Sequence, residues 1–152
     1  MSANEQMIYC VACGATNRVG AGKSLTAAKC GRCSKPLATT APVDVNSEQF
    51  AGLQAKDTGA YVLDVWAPWC GPCRMMAPHF EAAAARFSAD VRFFKLNTDA
   101  NQAAAGLLQI RGVPTLIARK GGRVVAHEAG AKTGVALDNW IQTSLKVTSK
   151  AD

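Results

Sequence analysis

Six cysteines fall in three C-x-x-C pairs, Cys10/Cys13, Cys30/Cys33 and Cys70/Cys73. This spacing constrains the chain more than any other feature. In an oxidising compartment it would suggest a disulfide framework. In a reducing one it points to metal ligation or redox chemistry. The leading residues, MSANEQM, carry neither a basic nor an apolar leader segment. No signal peptide is read, and the expected compartment is the cytoplasm. No stretch approaches the roughly 18 apolar residues of a membrane span, so no membrane association is expected.

The first two pairs are separated by sixteen residues, the spacing of a four-thiolate metal site. Cys13-Gly14 and Cys30-Gly31 place glycine beside a cysteine, as a tight knuckle requires. Four thiolates close a tetrahedral shell, which argues for one structural zinc. Two disulfides or an iron ion remain alternatives. The first 35 or so residues show little apolar periodicity. The segment is expected to lack a core and to fold only with metal. It also holds much of the net charge of +6: Arg18, Lys23, Lys29, Arg32 and Lys35 stand against Glu5 alone. Zinc with four thiolates would supply −2, which offsets part of that surplus. Tyr9 is the only aromatic residue before position 40, so a base-stacking nucleic-acid surface is not expected.

Pro36 to Pro42 (PLATTAP) reads as a linker. The expected division is a zinc-binding N-terminal module at 1–38 and a second domain at 39–152. From Val43 the pattern becomes β-α-β-α-β-α-β-β-α. Tyr61–Trp66 (YVLDVW) is a nearly continuous apolar run, as in a strand buried on both faces. A helix is expected from near Cys70 to about Phe87, kinked at Pro78. A final helix over 133–147 aligns Val135, Leu137, Trp140, Ile141 and Leu145 in one stripe. Strands joined through helices are expected to be parallel, with a glycine hairpin at Lys120-Gly121-Gly122. The fold class is therefore α/β, a mixed central sheet flanked by helices, after a small zinc-ribbon-like module.

Trp69-Cys70-Gly71-Pro72-Cys73 lies where the buried strand gives way to a helix. A helix N-terminus offers unpaired N–H groups and a positive dipole end, and both favour a thiolate. Cys70 is therefore the expected nucleophile, and the more shielded Cys73 resolves the mixed disulfide. Gly71 and Pro72 keep the sulfurs close. Asp64, between Leu63 and Val65, is expected to be at least partly buried, which raises a carboxyl pKa. Met75 and Met76 read as packing residues. His79 and His127 receive no catalytic role.

The run LDVWAPWCGPCRMMAP resembles the active-site signature of the thioredoxin family. The likeness continues through FFKLNTDAN, IRGVPTL and the AGAKTG turn, over roughly residues 43–147. With YCVACGATNRV and KCGRCSKPL ahead of it, the chain is similar to the bacterial thioredoxin 2 branch, whose extension binds zinc. The resemblance implies the thioredoxin fold and a redox-active disulfide, Cys70–Cys73. It implies reduction of protein disulfide substrates, with re-reduction by NADPH-dependent thioredoxin reductase. It implies that Asp64, beneath the cysteines, exchanges protons with Cys73 through water, with Lys95 nearby. It implies a cis bond at Pro114 and a loop facing Cys70 whose Val113 backbone bonds substrate. The implied docking surface comprises Trp69, Gly71, Pro72, Val113 and Ala131. A monomer is expected. A zinc-linked redox-sensing role of the N-terminal module is a second reading, and a chaperone-like scaffold a third.

Overall fold

A computed structural model describes residues 5–149. The described residues form two sheets. β1 (Glu5–Tyr9) and β2 (Thr16–Gly20) form an antiparallel hairpin. A five-stranded mixed sheet follows, built from β3 (Val43–Asp44), β4 (Tyr61–Trp66), β5 (Arg92–Asn97), β6 (Thr115–Lys120) and β7 (Arg123–Ala129) in the order β3-β5-β4-β6-β7. Four helices cover it: α1 (Ser47–Lys56), α2 (Gly71–Phe87), α3 (Gln102–Leu107) and α4 (Gly134–Leu145).

The apolar run of β4 occupies the centre, with Tyr61 to Val65 all buried. One core lies between the sheet and α2/α4, joining Val62, Phe93 and Leu116 to Phe80, Leu137 and Ile141. The other lies beneath α1 and α3, joining Leu63, Phe94 and Ile117 to Phe50, Leu53 and Ala104. Asn46 caps α1 by a reciprocal capping box with Gln49. α2 runs through Pro78 without ending.

Four expectations are corrected. β6 follows a helix yet runs antiparallel to β4. The six residues of α3 rise only about 9 Å at 1.5 Å each, too little to carry the chain back along the sheet, so β6 starts from the end where β5 finishes. Val135 does not join the α4 stripe: it is 74% exposed, while Leu137, Ile141 and Leu145 are buried. The N-terminal segment has a small core of its own, in which Ile8, Val19, Leu25, Leu37 and Ala38 pack around Cys10 and Cys30. Its apolar residues are too scattered in sequence to show periodicity. The segment read as a linker is therefore partly packed, with Leu37 N–H bonded to Ala28 O at 2.9 Å and Ala38 N–H to Leu25 O at 3.1 Å.

The hairpin is seated on the larger sheet by a buried ion pair between Asp57 and Arg92. Arg92 Nη1 and Nη2 grip Asp57 Oδ2 and Oδ1 at 2.5 and 2.8 Å. The same carboxylate accepts Tyr9 N–H at 2.8 Å. Thr58 N–H bonds Met7 O at 2.8 Å, and Met7 N–H bonds Thr58 Oγ1 at 2.9 Å. Gly52 permits the close approach, since a Cβ there would fall within the Tyr9 ring.

Candidate redox and metal centres

Cys70 is the N-cap of α2, and its Sγ accepts Cys73 N–H at 3.1 Å. The cap position leaves the Cys70 side chain at the positive end of a seventeen-residue helix. The helical turn then brings Cys73 beneath it, and the two form a disulfide with Cα atoms 5.2 Å apart. Both are buried and pack with Ala67, against Trp66 and Val113.

Three loops meet this disulfide. The loop after β4 presents Trp69, 68% exposed, with its indole N–H on Asp99 Oδ1 at 3.3 Å. The loop before β6 brings Val113 O to 3.5 Å from Cys70 Sγ, and the Val113–Pro114 bond is cis. The loop before α4 carries the half-buried Ala131 and is tied to the second loop by Gly130 N–H on Pro114 O at 2.9 Å. Gly71 and Pro72 are exposed on the first turn of α2. A groove of about 400 Å³ opens beside the disulfide between Trp69, Ile110, Arg111 and Val113. Met75 is not a packing residue, being 58% exposed beside the redox turn, whereas Met76 is fully buried.

Strand alternation puts Asp64 on the α2 side of β4 with Val62. It is buried, and neither carboxyl oxygen has a hydrogen-bond partner among the described residues. Burial pushes its pKa up to about 7, while the cross-strand neighbour Lys95 opposes the rise. Lys95 is half-buried, with Nζ 4.7 Å from the centre of the Trp66 ring.

The other four cysteines form two near-identical knuckles. Cys10 N–H bonds Ala15 O and Gly14 N–H bonds Cys10 O, at 2.8 and 2.7 Å. Cys30 N–H bonds Lys35 O and Ser34 N–H bonds Cys30 O, at 2.8 and 2.9 Å. Each knuckle turns back at a left-handed residue directly after its second cysteine, Gly14 at φ 86° and Ser34 at φ 68°. The glycine expected at position 31 is therefore not the turning residue of the second knuckle.

All four sulfurs lie within 4.8 Å of one another. Cys10 and Cys33 Sγ are 3.7 Å apart, and Cys13 and Cys30 Sγ 3.6 Å. A tetrahedral ion with Zn–S bonds of about 2.3 Å needs edges of about 3.8 Å. Two of the six edges thus match such a site, and the cluster could hold a metal ion. Cys30 Sγ also accepts Arg32 N–H at 3.4 Å, as a thiolate ligand would.

Sequence reasoning located every cysteine. It missed Asp57, Arg92 and Asp99, polar residues whose partners are distant in sequence. It also missed the backbone contact of His79 with Gly134 at 3.2 Å.

The sequence model of the Thioredoxin family matches residues 41–143. Thioredoxin C-3 of Corynebacterium nephridii is 35% identical over 140 residues, which cover 92% of this chain and 96% of that one. The thioredoxin of Haemophilus influenzae is 39% identical over 97 residues, covering 64% and 91%. Among solved structures, a mutant thioredoxin from Halobacterium salinarum aligns with a TM-score of 0.63 at 29% identity, over 73% of this chain and 96% of that one. Spinach chloroplast thioredoxin f aligns with a TM-score of 0.61 at 36% identity, over 69% and 94%.

Proposed function

The chain belongs to the thioredoxin family, and on that premise we propose how its residues divide the work of a protein-disulfide reductase. The chain is a thiol–disulfide oxidoreductase with Cys70–Cys73 as its redox-active disulfide. The observation that carries the reading is this disulfide at the α2 N-terminus, with a groove beside it lined by Trp69 and Val113.

In the reduced protein the Cys70 thiolate attacks one sulfur of a substrate disulfide. A Cys70–substrate mixed disulfide forms, and the other substrate sulfur leaves as a thiol after taking up a proton. Cys73 then gives its proton to Asp64 through water and attacks the Cys70 sulfur. The Cys70–Cys73 bond forms as the Cys70–substrate bond breaks, and the second substrate sulfur leaves as a thiolate that takes back the proton held on Asp64 through water. Two electrons and two protons have passed to substrate. A carboxyl held near pH 7 by burial suits this transfer, because it can both take and return a proton at neutral pH. Lys95 limits the rise of that pKa. Trp69, Gly71, Pro72, Val113 and Ala131 form the docking rim, Pro114 shapes its loop, and the Val113 backbone bonds an extended substrate segment. Thioredoxin reductase restores the dithiol with electrons from NADPH.

The N-terminal module, 1–38, holds one structural zinc through Cys10, Cys13, Cys30 and Cys33, ahead of a thioredoxin domain at 39–152. The protein acts as a monomer in the reducing cytoplasm. The sulfur spacing and the donor chemistry support zinc. Insulin reduction with NADPH and thioredoxin reductase, with metal analysis of the same sample, tests both readings. Turnover with one zinc per chain is expected; absence of turnover overturns the reductase cycle.

A zinc-linked sensing role is a second reading. The seating of the hairpin on the Asp57–Arg92 pair favours it, because loss of metal would disturb residues that touch the larger domain. Peroxide titration should release zinc and change insulin turnover together. Turnover unaffected by zinc release overturns it.

A further inference from the structure

The loop that bears Ala131 is held by side chains of α2 that the redox cycle does not use. Met76 Sδ lies 3.5 Å from the backbone nitrogen of Lys132 and accepts its N–H. One turn further along α2, His79 Nδ1 accepts the backbone N–H of Gly134 at 3.2 Å. Arg86 extends the row to Asp138 on α4 at 2.5 Å. At the other end of the loop, Gly130 is tied to Pro114 O.

Gly134 is the first residue of α4, and the cap residue Thr133 makes no side-chain cap bond. First-turn N–H groups need an acceptor from outside the helix. Here it comes from another helix. Only an imidazole with no proton on Nδ1 can supply it.

We infer that His79 is a positioning residue for the docking loop 130–134: its imidazole Nδ1 fixes the start of α4, and with it the place of Ala131. The inference rests on the reading of Ala131 as part of the docking rim.

The test compares His79→Ala, His79→Asn and Ala131→Glu. Asn is the conservative variant because its Oδ1 stands where Nδ1 stands and accepts at every pH. Insulin reports on docking, and Ellman's reagent, a small aryl disulfide, reports on the redox centre without it. At pH 8, His79→Ala should raise the KM for insulin about two- to ten-fold, the effect of one lost hydrogen bond. Its kcat and its rate with Ellman's reagent should be unchanged, and His79→Asn should restore KM. Ala131→Glu should raise KM whatever occupies position 79. If it does and the His79 variants do not, the inference is overturned and the rim reading stands. If Ala131→Glu leaves KM unchanged, the rim reading fails and takes the inference with it.

Discussion

The same four-residue motif is used in two incompatible ways within this chain. At the knuckles, the residue after the second cysteine is left-handed, Gly14 or Ser34, and the chain doubles back. The sulfurs of each pair are then turned toward the opposite knuckle, Cys10 toward Cys33 and Cys13 toward Cys30. At the redox centre, Arg74 follows the second cysteine in helical conformation, with its N–H on Cys70 O at 3.2 Å. The helix continues, and the sulfurs of one pair face each other and bond. Spacing alone does not select between metal and disulfide. The backbone after the motif does, by deciding whether a cysteine meets its own partner or another pair.

The largest test of that contrast removes one cysteine from each setting. Cys70→Ser should reduce insulin turnover to background while leaving metal content at one ion per chain. Cys30→Ser should abolish metal binding without sending turnover to background. Structural zinc sites supply on the order of 10 kcal/mol of folding free energy, so the hairpin amides of 5–20 should also lose hydrogen-exchange protection in the second variant. Loss of metal in Cys70→Ser, or its retention in Cys30→Ser, would break the division between the two settings.

The seating of the module offers the next effect. Arg92→Met leaves Asp57 buried without its cation. Removing one partner of such a pair costs about 3–5 kcal/mol. The urea midpoint should fall accordingly in the metal-loaded protein. A loss below about 1 kcal/mol, the value of an exposed pair, would show that the junction is wetter than its burial indicates.

How far the sequence could be read follows the same division. YVLDVW announces a central strand because five of its six residues are apolar, and the helix start at Cys70 follows from its position after that strand. The four knuckle cysteines are legible by spacing. The direction of β6 is not, because it depends on the length of α3 against the length of the sheet. The Asp57–Arg92 junction is not legible either. An ion pair across 35 residues leaves no local signature. The core of the N-terminal module escaped because its apolar residues meet only when the knuckles have folded.

Asp64 gives a smaller, pH-resolved effect confined to the redox half. Burial holds its pKa at about 7 in the folded chain against an ordinary 3.8. The folded state therefore binds this proton more tightly than the unfolded state. Stability falls as pH rises between those values, and the whole cost, roughly 4 kcal/mol at most, is present above them. Asp64→Asn should raise Tm most at pH 8, and the gain should vanish near pH 4. It should also slow release of the mixed disulfide while metal content stays at one ion. A gain in Tm equal at pH 4 and pH 8 would mean the carboxyl carries no charge penalty.

The smallest effect is the sharpest for the comparison, because one change should have opposite signs at the two motifs. Ser34 sits at φ 68° with its side chain exposed. A non-glycine residue in the left-handed region costs roughly 1–2 kcal/mol, and the extra freedom of glycine in the unfolded chain returns about half of that. Ser34→Gly should thus stabilise the second knuckle by about 0.5–1 kcal/mol, read as a two- to five-fold gain in zinc affinity against a competing chelator. Arg74 holds the equivalent place after Cys73, but inside a helix, and its Nη1 also bonds Pro68 O at 2.9 Å. Arg74→Gly should lose about 1 kcal/mol of helix propensity, further lowering the urea midpoint through the lost side-chain bond, with zinc affinity unchanged. Two substitutions of the same sign would mean that the residue after the second cysteine does not distinguish knuckle from helix cap.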